Sequence, residues 1–297
     1  MGTDLHLIRA ARREFTGPAA LLADPELRAR AEEYLTDLTR PYGLQLDASA
    51  AARGQSYGEM AAELVRAVVP EDDPVDLLVL AFAVHDALPG RATASYLSHV
   101  CPGTPMSFAL CDQGSAAAFT GLRIARAHAC HRTLLLVVEQ SVLPYDPGVA
   151  VPARHRAVAL LLGDGPATGG GRVTAIRQHA DVDPDDVADL AAAELRALGA
   201  GGADVAVVLG AGLAAARPAT GGSPVTVAPP GQPATGVWWG LLDRLGDGPD
   251  RLTAVLVADY DPDLRYLCLV TITAATRITL GDVASEGTTK IPHTSES

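Results

Sequence analysis

Ser115 stands in Gln113-Gly114-Ser115-Ala116-Ala117, between the strand-like Ser107-Phe108-Ala109-Leu110-Cys111 and a run of small residues that reads as a helix through Ala129. A side chain at so tight a strand-to-helix turn sits at a helix N-terminus, where free N–H groups and the macrodipole stabilise a developing anion. A thiol gains most from that setting, because its thiolate is the reactive form. A serine hydroxyl stays protonated near neutral pH and needs a base within hydrogen-bond reach. It can also simply cap the helix. Other groupings carry less chemistry. His128, Cys130 and His131 form His-x-Cys-His near a helix end, without a fourth ligand at useful spacing, so no metal is expected there. Gly163-Asp164-Gly165 and Gly169-Gly170-Gly171 lack the following Lys-Ser/Thr and helix of a phosphate loop, and read as a hairpin connection. Trp238 and Trp239 read as core or interface anchors.

Two absences exclude whole mechanisms. The sequence contains no asparagine, and its single lysine is Lys290, in the polar C-terminal stretch. A core Asn and a buried Schiff-base Lys are therefore both ruled out. The net charge of -12 argues against a nucleic-acid surface, which needs clustered cations, and fits a small-molecule or protein partner. Cys101, Cys111, Cys130 and Cys268 are too far apart for a CxxC pair and read as buried free thiols. The segment Met1 to Phe15 lacks the unbroken apolar run of a signal peptide, and no stretch is long enough for a membrane span, so the expected location is the cytoplasm.

The elements that must position Ser115 alternate. Residues 24–40 read as a helix with Asp24 as N-cap, and Ser56-Tyr57-Gly58-Glu59 has the form of a capping box before the apolar stripe Met60, Leu64, Val65 and Val68. Leu77 to Val84 is an apolar run suited to a parallel strand covered on both faces. A helix over 91–100, the strand 107–111, the helix after Ser115 and the strand Thr133 to Glu139 continue a βαβ series. The second half repeats the alternation: adjacent strands at 157–162 and 172–177, a helix over 183–198, strands at 204–209 and 224–228, a helix over 233–246, and closing strands at 252–258 and 264–273. The similar order hints at an internal duplication.

From Ser56 to Asp146 this order resembles ketoacyl-ACP synthase III and its relatives. Their pattern is a helix carrying a Ser and an Ala-Ala pair (here Ala61-Ala62), a strand introduced by an Asp (Asp76), a short loop (His85 to Pro89), a helix, a strand leading to the nucleophile, and a strand ending in an acid (Glu139). Many such proteins read Gln-Gly-Cys at the elbow where this chain has Gln113-Gly114-Ser115. The resemblance implies an α/β, thiolase-like fold of two similar halves in αβαβα layers, residues 1–165 and a shortened 166–279, followed by a polar tail over 280–297. It puts Ser115 at the nucleophile position. Cys111 reads as pointing into the sheet and takes that position only if the turn lies earlier. It brings the loop of His85, beside Asp86, near the pocket as the remaining base candidate, although a loop imidazole at the surface is the plainer reading. The family's His place is occupied here by Gly210 or Ala211, its Gly-Asn turn by Gly231-Gln232, and its Gly-rich loop by Tyr260-Asp261-Pro262-Asp263. The segments from Gln178 to Asp204 and from Gly210 to Pro224 are also short for the family.

The resemblance implies a homodimer or a heterodimer with an intact ketosynthase, acyl carrier protein as a further partner, and no cofactor beyond an acyl-CoA or acyl-ACP thioester as substrate. Three functions are then open. The chain is a chain-length-factor-like partner subunit without condensing activity in polyketide or fatty-acid-type specialised metabolism, a Ser115-dependent acyltransferase, or a scaffold that binds no thioester.

Overall fold

The computed structural model describes residues 4–88, 90–128, 130–146, 148, 150–164, 170–246, 252–276 and 279–280. Its strands are β1 (Leu5–Phe15), β2 (Leu77–Ala81), β3 (Met106–Leu110), β4 (Arg132–Glu139), β5 (His155–Gly163), β6 (Gly170–His179), β7 (Val205–Leu209), β8 (Val225–Val227), β9 (Ala254–Asp261), β10 (Tyr266–Thr276) and β11 (Thr279–Leu280). The helices are α1 (Pro25–Thr39), α2 (Ala48–Ala51), α3 (Tyr57–Val68), α4 (Thr93–Val100), α5 (Ala117–His128), α6 (Val187–Ala197), α7 (Ala211–Ala216) and α8 (Gly236–Gly246). Of the sequence readings, the polar tail over 281–297 and residues Pro89, Gly165 and Gly169 lie outside the described residues.

The strand order states the architecture. One half runs β3-β2-β4-β5-β1 and the other β8-β7-β9-β10-β6. Each has two parallel pairings followed by two antiparallel ones, so the second half repeats the first pairing for pairing. The halves meet through a short antiparallel ladder between Leu5–Leu7 of β1 and Gly171–Val173 of β6. The duplication hinted at by element order is thus present in the topology.

Side-chain alternation builds the layers. Leu77, Val79 and Ala81 of β2, with Leu135 and Val137 of β4, face an inner core containing Phe119 and Leu122 of α5 and Trp238 and Leu241 of α8. Their neighbours Leu78, Leu80, Leu134 and Leu136 face an outer core under α3, with Leu97 of α4. In the second half Val255 and Val257 point inward, whereas Leu256 and Ala258 pack under α6 and α7. The result is α3/α4, sheet, α5/α8, sheet, α6/α7. Strands buried on both faces are apolar throughout, and each fully buried Leu or Val contributes roughly 1.5–3 kcal/mol.

Several sequence readings change. The opening segment, read only for targeting signals, is β1, a strand at the centre of the assembled sheet. Its alternation is broken by a bulge between Leu7 and Arg9, and its arginines pair with acids distant in sequence: Arg12 with Asp243 of α8 and Arg13 with Glu63 of α3. β1 lies between β5 and β6, so those strands are not adjacent and do not pair with each other as a hairpin. The run after Gly210 forms the short helix α7. Asp24 caps α1 as expected, accepting from the N–H groups of Glu26 and Leu27 at 2.8 and 3.3 Å. The capping box of α3 is only half made: the Ser56 hydroxyl accepts from Glu59 N–H at 3.5 Å, but the Glu59 carboxylate reaches away to the N–H groups of Ala20 and Leu21.

Candidate active site at the Ser115 turn

Past β3 the chain turns through Asp112 and Gly114, both at positive φ (58° and 49°), and a single 3-10 turn, Gly114–Ala116, leads into α5. Cys111 is exposed at the start of this turn, not directed into the sheet, because β3 ends at Leu110 and Asp112 swings the backbone away. Burial is the main cause raising its thiol above the ordinary value. Ser115 is buried, 6% exposed, at the head of the helix.

Two carboxylates from the other half occupy this corner. Asp261, the last residue of β9, accepts the Ser115 N–H at 3.0 Å through one oxygen and the Leu264 N–H at 3.0 Å through the other. It lies so close to Gly114 that a Cβ there would stand 1.8 Å from its Oδ2. Asp259, two residues back on the same strand, is 4% exposed and accepts its neighbour's Tyr260 N–H at 2.8 Å. Burial is the main cause pushing its carboxyl up to about 7, with the Tyr260 N–H and the Ser115 side chain pulling the other way and Asp261 adding repulsion. The space Asp259 fills exists because Gly210, at the end of β7, has no side chain: a Cβ there would fall 1.8 Å from Oδ1 and 2.0 Å from Cγ of Asp259.

The second inner helix begins the same way. Glu139, the last residue of β4, is buried and accepts the Ala234 N–H at 2.6 Å, the Thr235 N–H at 3.0 Å and the Thr235 hydroxyl, just before α8. Burial is the first cause of its raised pKa, opposed by those bonds. Under the repeat β4 corresponds to β9 and α5 to α8. Each inner helix therefore begins on a carboxylate carried by the opposite half, as the macrodipole favours.

His85 has other partners. Its Nδ1 lies 2.9 Å from the Asp86 carbonyl oxygen and so carries the proton, and its Nε2 then accepts from the Tyr145 hydroxyl at 2.6 Å, the two rings being stacked. Among the described residues no hydrogen bond joins it to Ser115. Asp86 is buried and accepts from Tyr57 N–H, Leu88 N–H and the Thr93 hydroxyl; burial chiefly raises its pKa. Gln232 follows Gly231 at φ 82° and donates to the carbonyls of Arg154 and Gly231, while its buried Oε1 has no partner among the described residues. His131 pairs with Asp164 at 2.7 Å. Trp238 packs against Phe119, ring centroids 4.9 Å apart, inside the inner core, and Trp239 lies between the guanidinium groups of Arg12 and Arg156.

Sequence reasoning missed Asp259 and the targets of Asp261 and Glu139. The signal available was the Asp-x-Asp ending of the next-to-last strand, where a Gly-rich loop was expected.

No protein-family model matches the sequence, and no curated protein is similar to it. Solved structures are. AbyA1, a tetronic acid condensing enzyme, is similar over 91% of this chain and 100% of its own, at 17% identity and a TM-score of 0.62. ChlB3, described as an acyltransferase, is similar over 92% and 98%, at 14% identity and 0.59. The 3-oxoacyl-(acyl carrier protein) synthase III of Pseudomonas aeruginosa PAO1 is similar over 93% and 99%, at 14% identity and 0.58. The chain is an α/β protein of the thiolase-like class. Its fold is similar to that of ketoacyl-ACP synthase III over nearly the whole chain.

Proposed function

We propose that this protein is a ketoacyl-ACP synthase III-like partner subunit, chain-length-factor-like in role, that lacks condensing activity and pairs with an intact ketosynthase of polyketide or fatty-acid-type specialised metabolism. The observation that carries this is the Asp261 carboxylate on the Ser115 N–H. Acyl transfer at this turn would build negative charge on the thioester oxygen, and the donor available to stabilise it already holds an anion. Stabilisation by such a donor is worth roughly 3–4 kcal/mol, and a carboxylate in its place replaces attraction by repulsion. The absence of asparagine and the glycine at position 210 remove the remaining parts of a decarboxylating set. The open edge of β3, where Met106 is 51% exposed, offers a strand for pairing with a second subunit, and acyl carrier protein would then dock on the pair.

A second reading, a Ser115-dependent acyltransferase, draws on one observation: Asp259 lies beside Ser115 with a pKa near neutrality, which suits a general base. Intact-mass measurement after incubation with acetyl-CoA and malonyl-CoA separates the two. No adduct is expected on the purified chain, and co-expression with a ketosynthase is expected to yield a complex stable through gel filtration at micromolar concentration. An acyl adduct that disappears in Ser115→Ala would instead establish the transferase, and separate migration of the two proteins would remove the partner role.

A further inference from the structure

An open groove of about 510 Å3 lies between the 3-10 turn Ala20–Ala23, helix α1 and the loop ending at Arg91. That volume is within the roughly 300–1,000 Å3 of small-molecule sites. Leu21, Leu27, Ala31 and Leu88 make its walls apolar. The Tyr34 ring closes against Gly90, where a Cβ would sit 3.5 Å from the ring, so any larger residue there would narrow the groove. Among the described residues the charged ones lining it are Arg30 and Arg91, with no carboxylate. Among the described residues neither arginine forms an ion pair, on a chain whose net charge is -12. The Arg91 guanidinium is held instead over the Tyr96 ring, 4.1 Å from its centroid.

Arg30 and Arg91 both line the groove, Arg91 also standing near the buried Asp86, and a planar guanidinium matches a carboxylate in two-point fashion. We infer that this groove binds an amphipathic organic acid, its carboxylate between Arg30 and Arg91 and its alkyl or aryl body against Leu21, Leu27 and Leu88. The site shares no residue with the Ser115 cluster, so it stands whether or not the chain pairs with a ketosynthase.

Isothermal titration of the full chain with octanoate, and with octan-1-ol as the uncharged match, tests this. Octanoate is expected to saturate and to bind about tenfold or more tightly than the alcohol, since a charge-assisted contact is at stake. Arg30→Gln, at an exposed helical position that leaves the fold intact, is expected to weaken octanoate about tenfold. Ala31→Phe, which fills the groove, is expected to abolish binding, with circular dichroism confirming that both variants are folded. Failure of octanoate to saturate, equal affinity for the alcohol, or octanoate binding unchanged in either variant would overturn the assignment.

Discussion

At the scale of single residues, the site is decided by what two glycines allow. Gly210 and Gly114 make room for Asp259 and Asp261, and the contact distances leave no space for a methyl group at either. Gly210→Ala is expected to destabilise the protein by about 1–3 kcal/mol through overpacking against a buried carboxyl. Asp259→Ala in the same chain is expected to recover much of that loss. Urea denaturation of the two single variants and the double variant gives the coupling; additive effects would show that the two residues do not meet. Ser115 was legible as the turn residue from its small neighbours, but the carboxylate at its N–H was not, because Asp261 is 146 positions away in sequence.

At the scale of elements, α5 and α8 are set by charges carried across the molecule. Neither helix has its own side-chain cap among the bonds at its first turn; Asp261 and Glu139 serve instead. Glu139→Ala leaves the N–H groups of Ala234 and Thr235 buried without partners, at a cost of roughly 1–3 kcal/mol for each group left unsatisfied. Faster hydrogen exchange over the first turn of α8, with α3 unaffected, is the expected readout. Uniform change across both helices would mean that Glu139 does not act locally. Most helices and paired strands were readable from apolar spacing, because each buries one stripe or two full faces. β1 was not, because arginines interrupt its pattern and its pairing partners lie 140 positions or more on, between His155 and Leu280.

At the scale of the whole molecule, the fold buries several acids. Asp259, Glu139 and Asp86 all have raised pKa values, burial being the first cause in each. A carboxyl whose folded pKa exceeds its unfolded value stabilises the fold fully below the unfolded value, and that contribution is lost as pH rises through the folded value. For Asp259 the window runs from 3.8 to about 7. The wild-type chain is therefore expected to lose stability between pH 5 and pH 8 relative to Asp259→Asn, by on the order of 2 kcal/mol. Thermal melts across that range check it, and parallel curves for the two proteins would refute it. Glu139 and Asp86 act in the same direction, so the variant retains part of the slope. Among the described residues no helix is long and apolar enough to cross a membrane.

The sequence by itself determined the alternation of strands and helices, the turn holding Ser115, and the exclusion of any asparagine or buried lysine chemistry, because periodicity, turn residues and composition act locally. Only the tertiary structure decided that β1 divides β5 from β6, that the order of five strands is repeated, and that carboxylates from one half cap the starts of the inner helices of the other. Those depend on which distant groups are brought within hydrogen-bond distance when both sheets close on the inner helices, and no local pattern encodes that.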